Sequence, residues 1–207
     1  MVDAGAHRGE FSAILRRDYG CRCVLIEANP ELSNHLKGLS IGTVINAALG
    51  SKDGRAILHV QENLEGSSIV AGGGVTSKST VEVETISLQS VLSRTGFDHI
   101  DLLKLDIEGA EFELIEATPD KIWAGVSQIT VEFHDFVPRF SHQRLFQKAR
   151  TRLQALAFVA TVMSFRTHGD VLFLNCDRVK LTSGERMRLR YLARLESRLA
   201  PYLPASL

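Results

Sequence analysis

The chain has 207 residues, 44% of them hydrophobic and 23% charged, with a formal net charge of zero. That size and composition suit one soluble domain with a full hydrophobic core. The balanced charge excludes the global basic field of a nucleic-acid binder, and no apolar run reaches the ~18 residues of a membrane span.

The first strand is short, Met1 to Ala4, and runs directly into the turn Gly5-Ala6-His7-Arg8-Gly9. With the chain starting directly in a strand, no signal peptide is expected. Glu10 to Tyr19 is helical by spacing, with Phe11, Ile14 and Leu15 on one face and Gly20 as the stop. Cys23 to Glu27 is a second buried strand. Asn29 and Pro30 start the next helix as N-cap and first helical residue. That helix carries Leu32, Leu36 and Leu39, and Gly38 weakens its end. Thr43 to Leu49 is a third strand.

Residues 50 to 86 interrupt the alternation. Ser51-Lys52-Asp53-Gly54 is a turn. Ala56 to Gln61 and Thr80 to Thr85 alternate as an antiparallel pair, and the segment between them is rich in Gly and Ser. The rhythm resumes with a helix over Leu88 to Thr95, an apolar central strand over Ile100 to Ile107 and a helix over Ala110 to Ala117. A strand over Ser127 to His134 and a helix over Gln143 to Leu156 follow. Two final strands, Phe158 to Phe165 and Val171 to Asn175, form a hairpin. The expected fold is α/β: a Rossmann-like seven-stranded sheet, mostly parallel, with a terminal antiparallel hairpin and helices on both faces.

Residues 1–180 read as one domain with a hairpin excursion over 50–86, and 181–207 as a basic amphipathic helix and tail. Met187, Tyr191, Leu195 and Leu199 form a stripe at helical spacing on that last helix. The stripe suits packing on the sheet or on a second copy of the chain, or a surface for an acidic partner or a membrane. The odd count of cysteines (Cys21, Cys23, Cys176) fits a reducing, cytoplasmic setting with thiols acting as small hydrophobes. Cys21-Arg22-Cys23 lacks the Cys-x-x-Cys spacing of a redox pair.

In open parallel sheets, ligands bind beyond the carboxyl ends of the strands. Asp3, Gly5 and Gly9 lie at the first such end and Glu27 at the second, where a carboxylate suits both hydroxyls of a ribose. The spacing Gly5-x-x-x-Gly9 departs from the Gly-x-Gly-x-x-Gly of dinucleotide enzymes, which favours a nucleoside without a pyrophosphate. Asn46-Ala47-Ala48-Leu49 borders the place of a base. Asp106 and Glu108 share a face by strand period, and Glu108 and Glu111 also fit a helix-start capping pattern. Glu132 and His134 share a face on the next strand, where His134 suits a general base, a metal ligand or a hydrogen bond at the sheet edge.

Asp3-x-Gly5-Ala6-x-x-Gly9, Ile26-Glu27-Ala28-Asn29-Pro30, Asn46-Ala47-Ala48-Leu49, Leu103 through Glu111 and Val131-Glu132-Phe133-His134 together resemble the FkbM family of S-adenosylmethionine-dependent methyltransferases. The resemblance covers residues 1 to 176 and implies the seven-stranded methyltransferase sheet. It also implies O-methylation of a hydroxyl on a sugar or polyketide-like small molecule. Carried over, Asp3, Gly5 and Gly9 hold the methionine part of the cofactor and Glu27 its ribose, with Ala6, His7, Ala28, Asn29, Ala47 and Ala48 also in the cofactor site. Ser67 and Ser68 match a Gly-Ser-Ser-like stretch that closes over it. Asp106 lies nearest the transferred methyl, and Glu108, Glu132 and His134 face the acceptor.

Two departures from the family pattern stand out. His7 replaces the usual Asn. The first strand also begins at Met1, where family members carry a preceding segment, so a truncated start or a pocket short of one wall is expected. No metal is the primary reading; Mg²⁺ held by Asp106 and Glu132 is the alternative. The rival functions are a degenerate methyltransferase fold serving as a binding scaffold and a nicotinamide-dependent oxidoreductase, since Glu27 suits that ribose too.

Overall fold

A computed structural model describes residues 1–60, 79–133, 142–163 and 169–191. Its strands are β1 (Val2–Ala4), β2 (Val24–Ile26), β3 (Thr43–Ile45), β4 (Ala48–Leu49), β5 (Gly54–Val60), β6 (Ser79–Ile86), β7 (Leu103–Leu105), β8 (Gln128–Glu132), β9 (Phe158–Val162) and β10 (Asp170–Asn175). Its helices are α1 (Glu10–Tyr19), α2 (Pro30–Leu39), α3 (Leu88–Thr95), α4 (Glu111–Ala117), α5 (Asp120–Trp123), α6 (His142–Ala155) and α7 (Ser183–Tyr191). The main sheet has seven strands in the order β3-β2-β1-β7-β8-β10-β9. β3, β2, β1, β7 and β8 run parallel, and β10 is antiparallel to both β8 and β9. This is the expected sheet, with its reversal at the end.

The order reverses direction between β1 and β7, so the turns after those two strands face one crevice. β1 and β2 are buried along their whole length, as central parallel strands with both faces covered must be. Their side chains alternate between two cores. Val2, Ala4, Val24 and Ile26 join Val91, Leu114, Phe146 and Leu153 from α3, α4 and α6. Met1, Cys23 and Leu25 join Phe11 and Leu15 of α1 and Leu36 of α2. Helices therefore cover both faces.

Local signals set most of these elements. Asn29 caps α2, its side chain accepting hydrogen bonds from the N–H groups of Glu31 (2.9 Å) and Leu32 (3.4 Å), with Pro30 beside it. Gly20 ends α1 in a left-handed conformation. Ser87 caps α3, reinforced by Asp53, which accepts from the Ser87 N–H and the Ser90 hydroxyl.

Several boundaries differ from the sequence expectation. The third strand does not run unbroken from Thr43 to Leu49. Asn46 Nδ2 donates to the carbonyls of Glu27 (2.9 Å) and Ala28 (3.2 Å), and the chain turns there. β3 stays in the main sheet, while β4 leaves it and pairs in parallel with β6. The antiparallel hairpin β5–β6 forms in register from Gly54 opposite Thr85 to Val60 opposite Ser79, and with β4 it makes a second, three-stranded sheet. The strand expected over Ile100 to Ile107 contracts to Leu103–Leu105, preceded by one isolated bridge from Ile100 to Val126. α4 starts at Glu111 with Ala110 as its cap residue, and α5 had no sequence signal. α7 is described to Tyr191, with Met187 exposed.

Asn29→Ala removes the α2 cap and is expected to lower unfolding free energy by about 1 kcal/mol, read from urea titration with an unchanged slope.

Candidate functional site

One cavity of about 480 Å³ opens at the carboxyl ends of the parallel strands, within the size range of small-molecule sites. Gly5, Ala6, His7 and Arg8 line it from the turn after β1, and Glu27 and Ala28 from the end of β2. Ala47, Ala48 and Leu49 line it from the β3–β4 crossover, and Leu58 from the hairpin. Lys104, Asp106, Ile107 and Glu108 come from the end of β7, and Glu132 from the end of β8. Polar groups thus converge on a cavity whose side walls are alanine and leucine.

Glu27 is only 8% exposed. Its Oε2 accepts the N–H of His7 (2.9 Å) and its Oε1 the N–H of Asn29 (2.8 Å). Burial pushes its carboxyl above the ordinary range, against the pull of those two hydrogen bonds. Each carboxylate oxygen keeps further acceptor capacity, and the group borders the cavity. Asn29 itself does not line the cavity: it caps α2 and holds Glu27 through its N–H.

The turn after β1 is tightly built. The N–H groups of Gly5 and Ala6 both donate to the Ile26 carbonyl (3.0 and 3.2 Å). Gly5 has φ +74°, and a Cβ there would lie 1.8 Å from the Asp106 carbonyl oxygen. The absent side chain therefore serves a close approach of two strand-end turns, as well as leaving backbone on the cavity wall. Gly9 packs against Leu36 and Ile41 and stands outside the cavity lining. His7 adopts φ +49°, a region L residues visit rarely. The residue lines the cavity, and its Nε2 is buried without a hydrogen-bond partner.

Asp3 is fully buried behind that wall rather than lining it. Its Oδ2 accepts from the Ser12 hydroxyl of α1 (2.7 Å), and its Oδ1 lies 3.6 Å from the ammonium of Lys104. Desolvation raises its carboxyl above the usual range, with Lys104 and Ser12 opposing. The Lys104 ammonium also donates to the Gly5 carbonyl (3.1 Å) and to Asp106 Oδ2 (2.9 Å). Lys104 received no role from the sequence; the signal was a lone cation inside the otherwise apolar Leu103-Lys104-Leu105 strand.

Asp106 and Glu108 both face the cavity, but not by strand alternation. β7 ends at Leu105, and residues 106–109 turn, with Glu108 at φ +56° and Gly109 at φ +103°. The buried Glu111 carboxylate ties this turn down: it accepts the N–H of Ile107 (3.0 Å) and of Gly109 (3.0 and 3.2 Å). Glu111 is thus a turn clamp, close to the helix-start role its spacing allowed. Glu132 closes β8 at the cavity edge. His134, Ser67 and Ser68 lie outside the described residues.

The methyltransferase FkbM domain model matches residues 3–160. The chain belongs to the FkbM methyltransferase family. It is 27% identical to methyltransferase sdnD of Sordaria araneosa, over 64% of this chain and 65% of that protein. The chain thus spans about 65% of the length of that curated relative. No solved structure matches. The family membership agrees with the sheet order and places the matched region over every wall of the cavity. Among the described residues, no helix is long and apolar enough to cross a membrane.

Gly5→Ala sets a Cβ against the Asp106 carbonyl and is expected to cost more than about 2 kcal/mol of stability. Gly20→Ala has a similar φ (+64°) with nothing within 4 Å and is expected to cost only about 1 kcal/mol. Chemical denaturation of the two variants side by side measures the difference.

Proposed function

We propose that this protein is an S-adenosylmethionine-dependent O-methyltransferase acting on a hydroxyl of a sugar or polyketide-like small molecule. The observation that carries the cofactor reading is Glu27: a buried carboxylate, fixed by two backbone N–H groups, at the rim of a cavity with small apolar walls. An acceptor so rigidly held suits a vicinal diol such as a ribose.

When bound, S-adenosylmethionine supplies a methyl group on a positively charged sulfur. Glu27 holds the ribose, and Ala28, Ala47 and Ala48 leave room for the adenine. Gly5, Ala6 and His7, which line the cavity, present their backbone to the amino-acid end. Asp3, Gly9 and Asn29 support that wall from behind. Asp106 sets a negative charge at the cavity, itself anchored by Lys104. Glu108 and Glu132, on the same cavity, orient the acceptor hydroxyl, and one of the two accepts its proton as the oxygen takes the methyl from sulfur; a well-placed general base contributes about 10²–10⁴-fold. Alignment of the reacting atoms contributes more, about 7–11 kcal/mol when geometry is good.

The donor set does not suit Mg²⁺. Asp106 Oδ2 sits 2.9 Å from an ammonium, which opposes a second cation there. Among the described residues, no group of three or more His, Cys, Asp or Glu side chains is placed to hold a metal ion. Turnover is expected to be unchanged by EDTA; loss restored by added Mg²⁺ would reverse this reading.

Calorimetry with S-adenosylhomocysteine tests the cofactor site. Glu27→Gln removes charge-assisted hydrogen bonds and is expected to weaken binding about 10- to 100-fold. The pH dependence has a definite sign. Glu27 accepts both hydroxyls only when ionised, and its carboxyl titrates above the ordinary 4.5. Affinity is therefore expected to fall as pH drops through that raised value, and the Gln variant to lose this dependence. Transfer of label from methyl-tritiated S-adenosylmethionine to a panel of hydroxylated acceptors tests the reaction. A wild-type protein that binds no S-adenosylhomocysteine at millimolar concentration would overturn the assignment.

A further inference from the structure

Lys104 is a cation in the centre of a parallel sheet, between Leu103 and Leu105, which are fully buried. Its side chain is 19% exposed. An ammonium in such a place is costly unless its donors are satisfied. It donates two hydrogen bonds, to Asp106 Oδ2 at 2.9 Å and to the Gly5 carbonyl at 3.1 Å, and Asp3 Oδ1, which accepts no hydrogen bond, faces it as an ion-pair partner at 3.6 Å.

These oxygens come from different parts of the fold. Asp3 is the direct register partner of Lys104 across the β1–β7 pair, so the two side chains leave the same face of the sheet. Asp3 is held in turn by the Ser12 hydroxyl on α1. Gly5 belongs to the turn after β1 and Asp106 to the turn after β7. No backbone hydrogen bond needs a lysine here: Asp106 N–H already reaches the Ala4 carbonyl at 3.1 Å. What the ammonium adds is a link between the Gly5 carbonyl and the Asp106 side chain, at the place where the two turns approach most closely.

We propose that Lys104 is a positioning residue that couples the turn after β1 to the turn after β7, and so fixes both in the geometry that receives the cofactor. The inference rests on the reading of this cavity as the cofactor site. A buried ion pair often adds little net stability compared with an apolar pair, and its attested value is in fixing a register. Lys104 therefore acts on the arrangement of the two turns more than on the stability of the fold. Displacement of either turn by a fraction of an ångström moves Gly5, His7 and Asp106 relative to Glu27, and small misplacements of this kind carry large kinetic and binding costs.

The test compares the wild type with Lys104→Met and with Asp3→Asn/Lys104→Met. The double variant removes one charge of each sign, so it folds even where the single variant suffers from two carboxylates left without their cation. Hydrogen–deuterium exchange is measured on the ligand-free proteins. The reporters are the hydrogen-bonded amides of Gly5, Ala6 and His7 in one turn and of Ile107 and Gly109 in the other. Binding of S-adenosylhomocysteine is measured by calorimetry and melting by circular dichroism. In the double variant, both sets of amides are expected to exchange faster, with the β8–β10 amides unchanged. Affinity is expected to fall on the order of 10-fold or more, with a melting temperature close to wild type. Wild-type protection of both turns in the folded double variant would overturn the proposal, and so would a uniform rise in exchange across the sheet, which marks a merely structural lysine. If the turns loosen as expected but the wild type binds no S-adenosylhomocysteine, the coupling stands and the cofactor reading fails.

Discussion

The turns after β1 and β7 meet so closely that a methyl group at position 5 would lie 1.8 Å from the Asp106 carbonyl oxygen, and most of the site is built around that contact. The approach is permitted by a glycine with positive φ and secured by the Asp106 N–H to Ala4 carbonyl bond and by the Lys104 ammonium. It occurs where the strand order reverses, the one place in an open parallel sheet where two neighbouring turns diverge to leave a crevice. Glu27 then stands beside the crevice on the adjacent strand, and the β3–β4 crossover supplies its alanine wall.

The site concentrates electrostatic cost. Asp3 and Glu27 are both buried carboxylates raised by desolvation, so each is an expense to the ligand-free protein that a purely structural core would avoid. Their compensation differs. Glu27 is held by backbone N–H groups and still faces the cavity, which suits a group kept ready for a ligand. Asp3 is sealed behind the wall with Ser12 and Lys104, which suits a group that organises its neighbours. The left-handed backbone at His7 and Glu108 adds local strain beside these charges; such conformations persist where the surrounding structure over-determines them, commonly at functional sites.

The excursion between the third strand and α3 acquires a purpose in this geometry. Asn46 draws the chain out of the main sheet by bonding to the carbonyls at the end of β2. That places β4 against β6 and lets Ala48, Leu58 and Val83 form a small core of their own. Leu58 and Ala48 from this core also line the cavity, so the hairpin is part of the pocket wall as well as a surface addition.

The sequence by itself determined the sheet, the alternation of helices and strands, the α2 cap and the identity of the family, because each rests on short-range patterning: apolar runs, an Asn-Pro helix start, and motifs of a few residues in fixed order. It also placed Glu27, Ala28, Ala47, Ala48, Asp106, Glu108 and Glu132 at strand ends, where the structure finds them around one cavity. What only the tertiary structure decided is the division of labour among neighbours. Periodicity put Asp106 and Glu108 on a strand that ends before either of them. Glycine spacing could not say that Gly5 yields to a carbonyl from a strand about a hundred residues away, nor that Gly9 packs on Leu36. Asp3 and Lys104 became partners only through the pairing of β1 with β7. Contacts between residues distant in sequence depend on register and on the exact approach of separate elements, and those are fixed by packing rather than by any local pattern.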